Sequence, residues 1–179
     1  MQAFRSTDVW RRFDAMEQSA CVRLNRVSRH GASRQLFTTV SRLGDGAFWC
    51  LLMLAFAVGS QEGAVVALQM AVAALFGFAL YRQLKHRLVR ERPYISHAAI
   101  ELGTAPLDRY SFPSGHTMHA VCFTTIAVTH VPELGLLLWP FTLLVAASRV
   151  VLGLHYPTDV GAGALLGFVL ATATPMLMV

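Results

Sequence analysis

The sequence contains few charged residues and almost no lysine. Charged side chains make up 14% of the 179 residues and hydrophobic ones 55%, whereas an ordinary soluble domain is about 25% charged. A chain of this length folded in water has too much surface to be this apolar. The composition therefore excludes a soluble globular domain, and it also excludes a disordered chain, a collagen and a coiled coil.

Cysteine is also scarce, which excludes two further classes. Cys21, Cys50 and Cys122 lie far apart and show no metal-ligand spacing. A disulfide scaffold and a cysteine-based metal site are therefore not expected. The net charge of +5 does not indicate nucleic-acid binding, because in so apolar a chain excess cations more often contact anionic lipid or an anionic substrate.

Five stretches without charge each predict a membrane-spanning helix. They are residues 46–61, 63–81, 111–132, 134–148 and 160–179. The first and the fourth are short and need flanking residues to cross a bilayer. We therefore predict an all-α fold, a polytopic membrane bundle of about five transmembrane helices that forms one membrane-embedded domain over residues 44–179.

Residues 1–43 have a different pattern, with apolar side chains at the spacing of one helix face. These side chains are Trp10, Phe13, Met16, Ala20, Leu24 and Val27, and arginines at 11, 12, 23 and 26 lie among them. The pattern predicts a basic amphipathic helix that lies at the membrane interface or covers the end of the bundle as a plain surface helix. It lacks the continuous apolar core of a secretory signal.

The first of three charged clusters in the membrane part runs from Lys85 to Pro93. Charged residues within a membrane domain are costly and usually functional. Lys85 and Arg92 are seven residues apart, so a continuous helix would place them on one face, and Pro93 would end that helix. Two cations on one face can hold a dianion, but a basic collar that sets the topology is an alternative.

The second cluster, Pro113-Ser114-Gly115-His116, opens the third predicted span. Pro and Ser are typical of a helix start, where free backbone N–H groups and the positive end of the helix dipole favour phosphate. Gly115 allows a ligand close to the backbone, and His116 is placed to give or take a proton. The alternative is an ordinary helix start with an interfacial histidine.

The third cluster contains Arg149 at the end of an apolar span, His155 at a break marked by Gly153 and Pro157, and Asp159 four residues later. A carboxylate beside a histidine can fix the ring and leave its other nitrogen as a nucleophile or base. The alternative is a His–Asp cap between two helices. With the predicted spans, all three clusters lie on the same side of the membrane.

The three clusters resemble the motifs of the type-2 phosphatidic acid phosphatase and haloperoxidase superfamily. Those motifs are K-x6-R-P, P-S-G-H and S-R-x5-H-x3-D, and every spacing is present here in Lys85–Pro93, Pro113–His116 and Ser148–Asp159. Lys85, the motif lysine, is the only lysine among 15 Lys and Arg residues. The resemblance covers about residues 40–179 and implies a helical membrane phosphatase.

The resemblance also implies a role for each motif residue. His155 would be the nucleophile that forms a phosphohistidine, Asp159 would orient it, and His116 would be the general acid. The phosphoryl oxygens would be held by Lys85, Arg92, Ser114, Gly115 and Arg149. Three cations neutralise a phosphoryl group without a metal ion, so we expect neither a metal nor another cofactor.

The expected substrate is a lipid phosphate or diphosphate of the undecaprenyl diphosphate, phosphatidylglycerophosphate or phosphatidic acid type. A sugar or small-molecule phosphatase, and a catalytically silent membrane protein that binds anionic lipid, are the alternatives. The resemblance favours a bacterial inner-membrane protein with its site on the periplasmic face. The many arginines before the first predicted span favour the cytoplasmic face instead.

Overall fold

The fold is all-helical in the computed structural model, which describes residues 2–106 and 108–177. Side chains are described for residues 11–106 and 108–175. The helices are α1 (Gln2–Asn25), α2 (Gly31–Leu43), α3 (Ala47–Gly59), α4 (Gln61–Arg87), α5 (Pro93–Ser96), α6 (Gly115–His130), α7 (Gly135–Val151) and α8 (Pro157–Ala173). Between the described residues, extended pairing is limited to one isolated bridge, Glu91 with Tyr110.

The five predicted spans correspond in order to the five helices α3, α4, α6, α7 and α8, whose bounds differ from the predicted ones by a few residues at most ends. The last predicted span ends at residue 179, and its final two residues lie outside the described part. By length and composition, α4 and the helix over Pro132–Val151 can cross a membrane, and α2 with α3 forms a third candidate that is bent by 45°. The helices are confirmed, and the number of spans stays a prediction.

Helix α6 lies at the centre of the bundle and packs against α4, α7 and α8. Glycines on α8 let it approach α6 closely: a Cβ atom added at Gly167 would lie 2.2 Å from the carbonyl oxygen of Met118, and one at Gly163 would lie 2.5 Å from that of Ser114. Small residues allow such contacts between membrane helices. The close approach brings the beginnings of α6 and α8 together, and the Ser114 N–H donates to the Asp159 carbonyl at 3.0 Å.

The predicted continuation of α4 to Pro93 is wrong. The helix ends at Arg87, and Pro93 begins the short helix α5 instead. Between them the chain is extended and pairs with the segment before α6, where the Ser111 N–H donates to the Arg90 carbonyl at 2.8 Å. Lys85 and Arg92 therefore do not share a helix face; the turn of the chain brings them together.

The predicted amphipathic helix is present as α1, but its apolar stripe faces away from the protein. Phe13 is 45% and Met16 69% exposed, whereas the side chain of Trp10 lies outside the described residues. The buried face of α1 is instead largely polar, with Glu17, Cys21 and Asn25. An outward apolar stripe flanked by arginines suits a lipid surface, because burial inside the protein cannot account for its hydrophobicity.

The N-terminal segment forms two helices where the sequence predicted one. Helix α1 ends at Asn25, whose buried side-chain amide donates to the carbonyls of Glu101 and Val151 at 2.9 and 3.0 Å. Its oxygen accepts from the Glu101 N–H at 2.8 Å. These long-range bonds fix the chain where α1 stops, and α2 then packs against α7.

Candidate active site

The residues of the three motifs lie together at one end of the bundle. Lys85 is in the last turn of α4, Ser114 precedes α6, and Arg149 is in the last turn of α7. Arg92 Nη1 lies 3.2 Å from His155 Nε2 and also donates to the Leu154 carbonyl at 2.8 Å. The first and third motifs thus meet directly at His155, as the predicted topology required.

His155 occupies a tight turn between α7 and α8. Gly153 allows this turn because its φ is +73°, a value that favours glycine, and the His155 N–H donates to the Arg149 carbonyl at 3.0 Å. The side chain is buried, with 2% of the residue exposed. Burial and the nearby Arg149 and Arg92 lower the pKa of His155 well below its usual value. The ring is therefore neutral at pH 7, the form that can act as a nucleophile.

Asp159 lies in the first turn of α8 and is completely buried. Its Oδ2 accepts from the Tyr156 N–H at 2.8 Å, and its Oδ1 accepts from Arg90 Nη1 at 2.7 Å. The distance from Oδ2 to His155 Nδ1 is 3.7 Å, which is longer than a hydrogen bond. Asp159 thus lies close to His155 without a hydrogen bond to it in this structure, and a small movement of the ring would give that bond.

His116 lies in the first turn of α6, and its Nε2 is 3.2 Å from Asp45 Oδ1. Asp45 belongs to the short connection between α2 and α3 and was not predicted as a site residue. Burial raises the pKa of Asp45, and the charge of Arg149 opposes that rise. A carboxylate at this distance can orient the His116 ring through its Nε2.

Asp108, a loop acid outside the three motifs, binds two motif cations. Lys85 Nζ lies 2.5 Å from its Oδ1, and Arg92 Nη2 lies 2.7 Å from the same oxygen. Tyr81 also donates to this carboxylate. Burial alone would raise the pKa of Asp108, but the bonds from Lys85 and Tyr81 lower it to about 2. Asp108 therefore stays ionised and fixes the positions of both cations.

Arg149, the third motif cation, is buried and contacts the N-terminal part of the chain. Its Nη1 donates to Ser41 on α2, a partner that lies 108 positions away along the chain and outside the three motifs. Within the described residues, its Nε has no hydrogen-bond partner although it is buried. A buried donor without a partner is costly, and it can be satisfied by a phosphoryl oxygen.

Ser114 and Gly115 form the beginning of α6, as predicted. Ser114 Oγ is 2.9 Å from Thr117 Oγ1 and accepts a longer bond from the Thr117 N–H, so it caps the helix. A Cβ atom at Gly115 would lie 2.8 Å from the ring of Tyr81. Glycine is therefore required here by packing against α4, in addition to any approach by a ligand.

The described residues contain no group of three or more His, Cys, Asp or Glu side chains placed to hold a metal ion. The positive charge around His155 in this part of the chain comes from Lys85, Arg92 and Arg149. All three are buried, with 7%, 1% and 3% of each residue exposed. Buried cations act strongly on a nearby anion because little water screens them.

An apolar cavity of about 340 Å³ lies beside His116, between α3, α4 and α6. Its polar end is formed by Asp45, Tyr81 and His116. The rest of its wall is mostly hydrophobic and includes Trp49, Met53, Ala74, Phe78 and Phe123. The cavity therefore joins the ring of His116 to a space that suits a hydrocarbon chain.

Comparison with known proteins gives a family match over the motif-bearing part of the chain. The profile described as the PAP2 superfamily matches residues 63–179. The chain is 34% identical over 127 residues to decaprenylphosphoryl-5-phosphoribose phosphatase from Mycolicibacterium smegmatis, an alignment that covers 69% of this chain and 67% of the relative.

Two solved structures share the fold. The crystal structure of Aquifex aeolicus LpxE superposes with a TM-score of 0.73 at 26% identity, covering 87% of this chain and 92% of that one. The crystal structure of a transmembrane PAP2-type phosphatidylglycerolphosphate phosphatase from Bacillus subtilis gives 0.63 at 27% identity, covering 90% and 85%. The superposition thus extends over most of the helices described above.

Proposed function

The chain belongs to the PAP2 superfamily, and from this membership we propose that it is an integral-membrane phosphatase that hydrolyses a lipid phosphate or diphosphate through a covalent His155 intermediate. One observation carries the proposal: buried His155 lies 3.2 Å from Arg92 and within the field of Lys85 and Arg149. A neutral nucleophile surrounded by cations suits attack on a phosphoryl group, because the charge on the oxygens is neutralised without protonating the nucleophile.

The proposed reaction has two steps. In the first, the His155 Nε2 lone pair forms a bond to phosphorus while the bond to the lipid oxygen breaks, and His116 donates a proton to that oxygen. In the second, His116 takes a proton from water, whose oxygen bonds to phosphorus as the His155 bond breaks. Inorganic phosphate and neutral His155 result. Asp159 stabilises the positive charge on the His155 ring between the two steps.

The apolar cavity supports a lipid as the substrate. It begins at His116, where the leaving oxygen would be protonated, and continues along α3 and α4 among hydrophobic side chains. Two relatives are named as phosphatases of a decaprenylphosphoryl sugar and of phosphatidylglycerolphosphate. We therefore propose a substrate of the polyprenyl or glycerolipid phosphate class, with undecaprenyl diphosphate, phosphatidylglycerophosphate and phosphatidic acid as the candidates.

A substrate panel tests this function. Purified protein in detergent is assayed for phosphate release from the three candidate lipids and from a water-soluble sugar phosphate, with and without a chelator. We expect release from at least one lipid substrate, little release from the sugar phosphate and no effect of the chelator. Preference for the sugar phosphate would establish a small-molecule phosphatase instead, and no release from any substrate would leave only anionic-lipid binding.

Filling the cavity should discriminate against long lipid chains. Ala74 on α4 lines the cavity, so Ala74→Phe places a ring where a hydrocarbon chain would lie. We expect kcat/KM to fall about tenfold for a long-chain lipid phosphate, which corresponds to about 1.4 kcal/mol of lost apolar contact. A short-chain phosphate should be affected less than twofold.

Ala71→Phe is the matched control, because Ala71 is exposed on the same helix and does not line the cavity. It should leave both substrates unchanged. Equal losses for the long and short chains in Ala74→Phe would contradict binding of the lipid chain in this cavity.

We further propose that α3, α4, α6, α7 and α8 cross the bilayer, with the site on the periplasmic side of a bacterial inner membrane. Residues 1–43 would then be an interfacial segment joined to the membrane-embedded domain over 44–179. The apolar stripe that α1 turns away from the protein supports this attachment.

Ala99 tests the side of the membrane, because it is exposed in the loop that follows α5 on the face of the site. In a cysteine-free background, Ala99→Cys should react with an impermeant thiol reagent in intact cells to the same extent as in lysed cells. Labelling that appears only after lysis would place the site in the cytoplasm.

A further inference from the structure

We propose that Glu17 on α1 is a positioning residue for the Asp159–His155 pair, acting through Arg90 and the first turn of α8. The inference rests on the proposed function, because it concerns the same site. The family match begins at residue 63, so Glu17 lies outside the residues that the family model matches. It is also absent from the three motifs.

The first contact of Glu17 is with the beginning of α8. Its Oε1 accepts from the Thr158 N–H at 2.8 Å and also from the Thr158 hydroxyl. The first N–H groups of a helix have no partner within the helix and need a cap. Glu17 supplies that cap from another helix, and the residue that follows Thr158 is Asp159. A side chain on α1 thus fixes the turn that carries the orienting carboxylate.

The second contact is with Arg90, which joins the two carboxylates. Arg90 Nη2 lies 2.5 Å from Glu17 Oε2, and its Nη1 lies 2.7 Å from Asp159 Oδ1. Arg90 also lies over the ring of Tyr156, with its guanidinium carbon 4.0 Å from the ring centre. One guanidinium therefore shares its charge between Glu17 and Asp159 and is held in a single orientation by both.

Glu17 is buried, and burial increases the energetic importance of its contacts. Glu17 is 6% exposed although it lies on a helix whose apolar stripe is exposed. A buried carboxylate is costly unless its bonds are satisfied, and Glu17 satisfies them only at Arg90 and Thr158 among the contacts described. By contrast Asp14, one turn earlier, is exposed. Glu17 and Asp14 therefore have different environments.

The charge of Glu17 affects Asp159 through Arg90. With Glu17 present, part of the Arg90 charge is neutralised outside the site, so Asp159 keeps more of its negative charge for His155. Without it, Arg90 would pair with Asp159 alone and the first turn of α8 would lose a cap. Asp159 would then stabilise the phosphorylated His155 less well and hold it less firmly. Binding of the phosphoryl group by Lys85 and Arg149 would be little changed.

The test is steady-state kinetics of Glu17→Gln on the panel substrate with the highest kcat/KM. We expect kcat to fall about tenfold and KM to change less than twofold, because the lost interaction acts on the reacting histidine and not on substrate binding. Glu17→Asp keeps the charge beside Arg90 and should recover part of the lost kcat. Asp14→Asn, the matched control on α1, should leave both constants at the wild-type values.

Thermal melting in detergent checks that each variant is folded. If Glu17→Gln does not fold, Thr158→Ala removes a hydroxyl that contacts both Glu17 and Arg90, and it should lower kcat about threefold with KM unchanged. If the wild type is active and these variants have the same kcat as the wild type, the positioning role alone is overturned. The role would also be overturned if KM of Glu17→Gln rose as much as kcat fell, or if kcat of Glu17→Asp were no higher than that of Glu17→Gln. An inactive wild type would overturn the proposed function and this role together.

Discussion

Replacing His155 with alanine is expected to abolish phosphate release, lowering kcat by at least about 10⁴-fold. The substitution removes the only atom proposed to bond to phosphorus. Arg92 donates to His155 Nε2 and to the Leu154 carbonyl, so the cation that contacts the ring remains anchored after the change. The variant should therefore still bind substrate, and the loss should appear in kcat much more than in KM.

The covalent intermediate gives a second measurement for the same change. Wild-type protein mixed with a ³²P-labelled lipid phosphate and denatured in alkali should retain label that acid releases, as expected of phosphohistidine. His155→Ala should retain none. His86→Ala is the matched control, since His86 is exposed and occupies an unspecified position of the first motif, next to Lys85, and it should behave as wild type. Equal labelling in wild type and His155→Ala would contradict His155 as the nucleophile.

The placement of several motif residues at helix ends and turns could be predicted from the sequence, because each of these lies beside a local signal. Ser114 opens α6, Arg149 ends an apolar helix, and Gly153 marks the turn that carries His155, all features of a few neighbouring residues. The route of the chain between Lys85 and Arg92 was predicted wrongly, because pairing of the Glu91 segment with Tyr110 depends on residues about twenty positions away.

The acids that support the site could not be predicted in the same way. Glu17, Asp45 and Asp108 are single carboxylates in a helix, a connection and a loop, and each meets its cation or histidine only in the folded chain. A solvent-exposed acid would look the same in the sequence. The spacing of apolar residues correctly predicted an apolar stripe on α1. It could not predict which way the stripe faces, because periodicity does not distinguish a stripe that faces protein from one that faces lipid.

The N-terminal segment contacts the site, in addition to its proposed attachment to the membrane. Glu17 contacts the beginning of α8 and Ser41 contacts Arg149, and just after the segment Asp45 contacts His116. Each partner is a motif residue or the neighbour of one. The proposed interfacial segment over residues 1–43 is therefore packed against the site. The apolar stripe of α1 faces outward, and its polar face is turned toward the protein and the site.

Replacing His116 with alanine should lower kcat in a way that depends on the leaving group. For a lipid phosphomonoester the leaving oxygen is an alkoxide that needs a proton, so loss of the general acid should cost about 10³-fold. For p-nitrophenyl phosphate the phenolate leaves without one, and the loss should be about tenfold or less. Asp45 Oδ1 lies 3.2 Å from His116 Nε2 and can orient the ring for this role.

The ratio of kcat for the two substrates is the measurement, because it cancels any general damage to the site. His116→Ala should raise the ratio of aryl to alkyl hydrolysis about 100-fold. His130→Ala, at the opposite end of α6, should leave it unchanged. If His116→Ala lowered both rates equally, His116 would be binding the phosphoryl group and not protonating the leaving oxygen. The proton for the alkoxide would then have to come from another group, and Asp45 is the acid nearest to the position that His116 occupies.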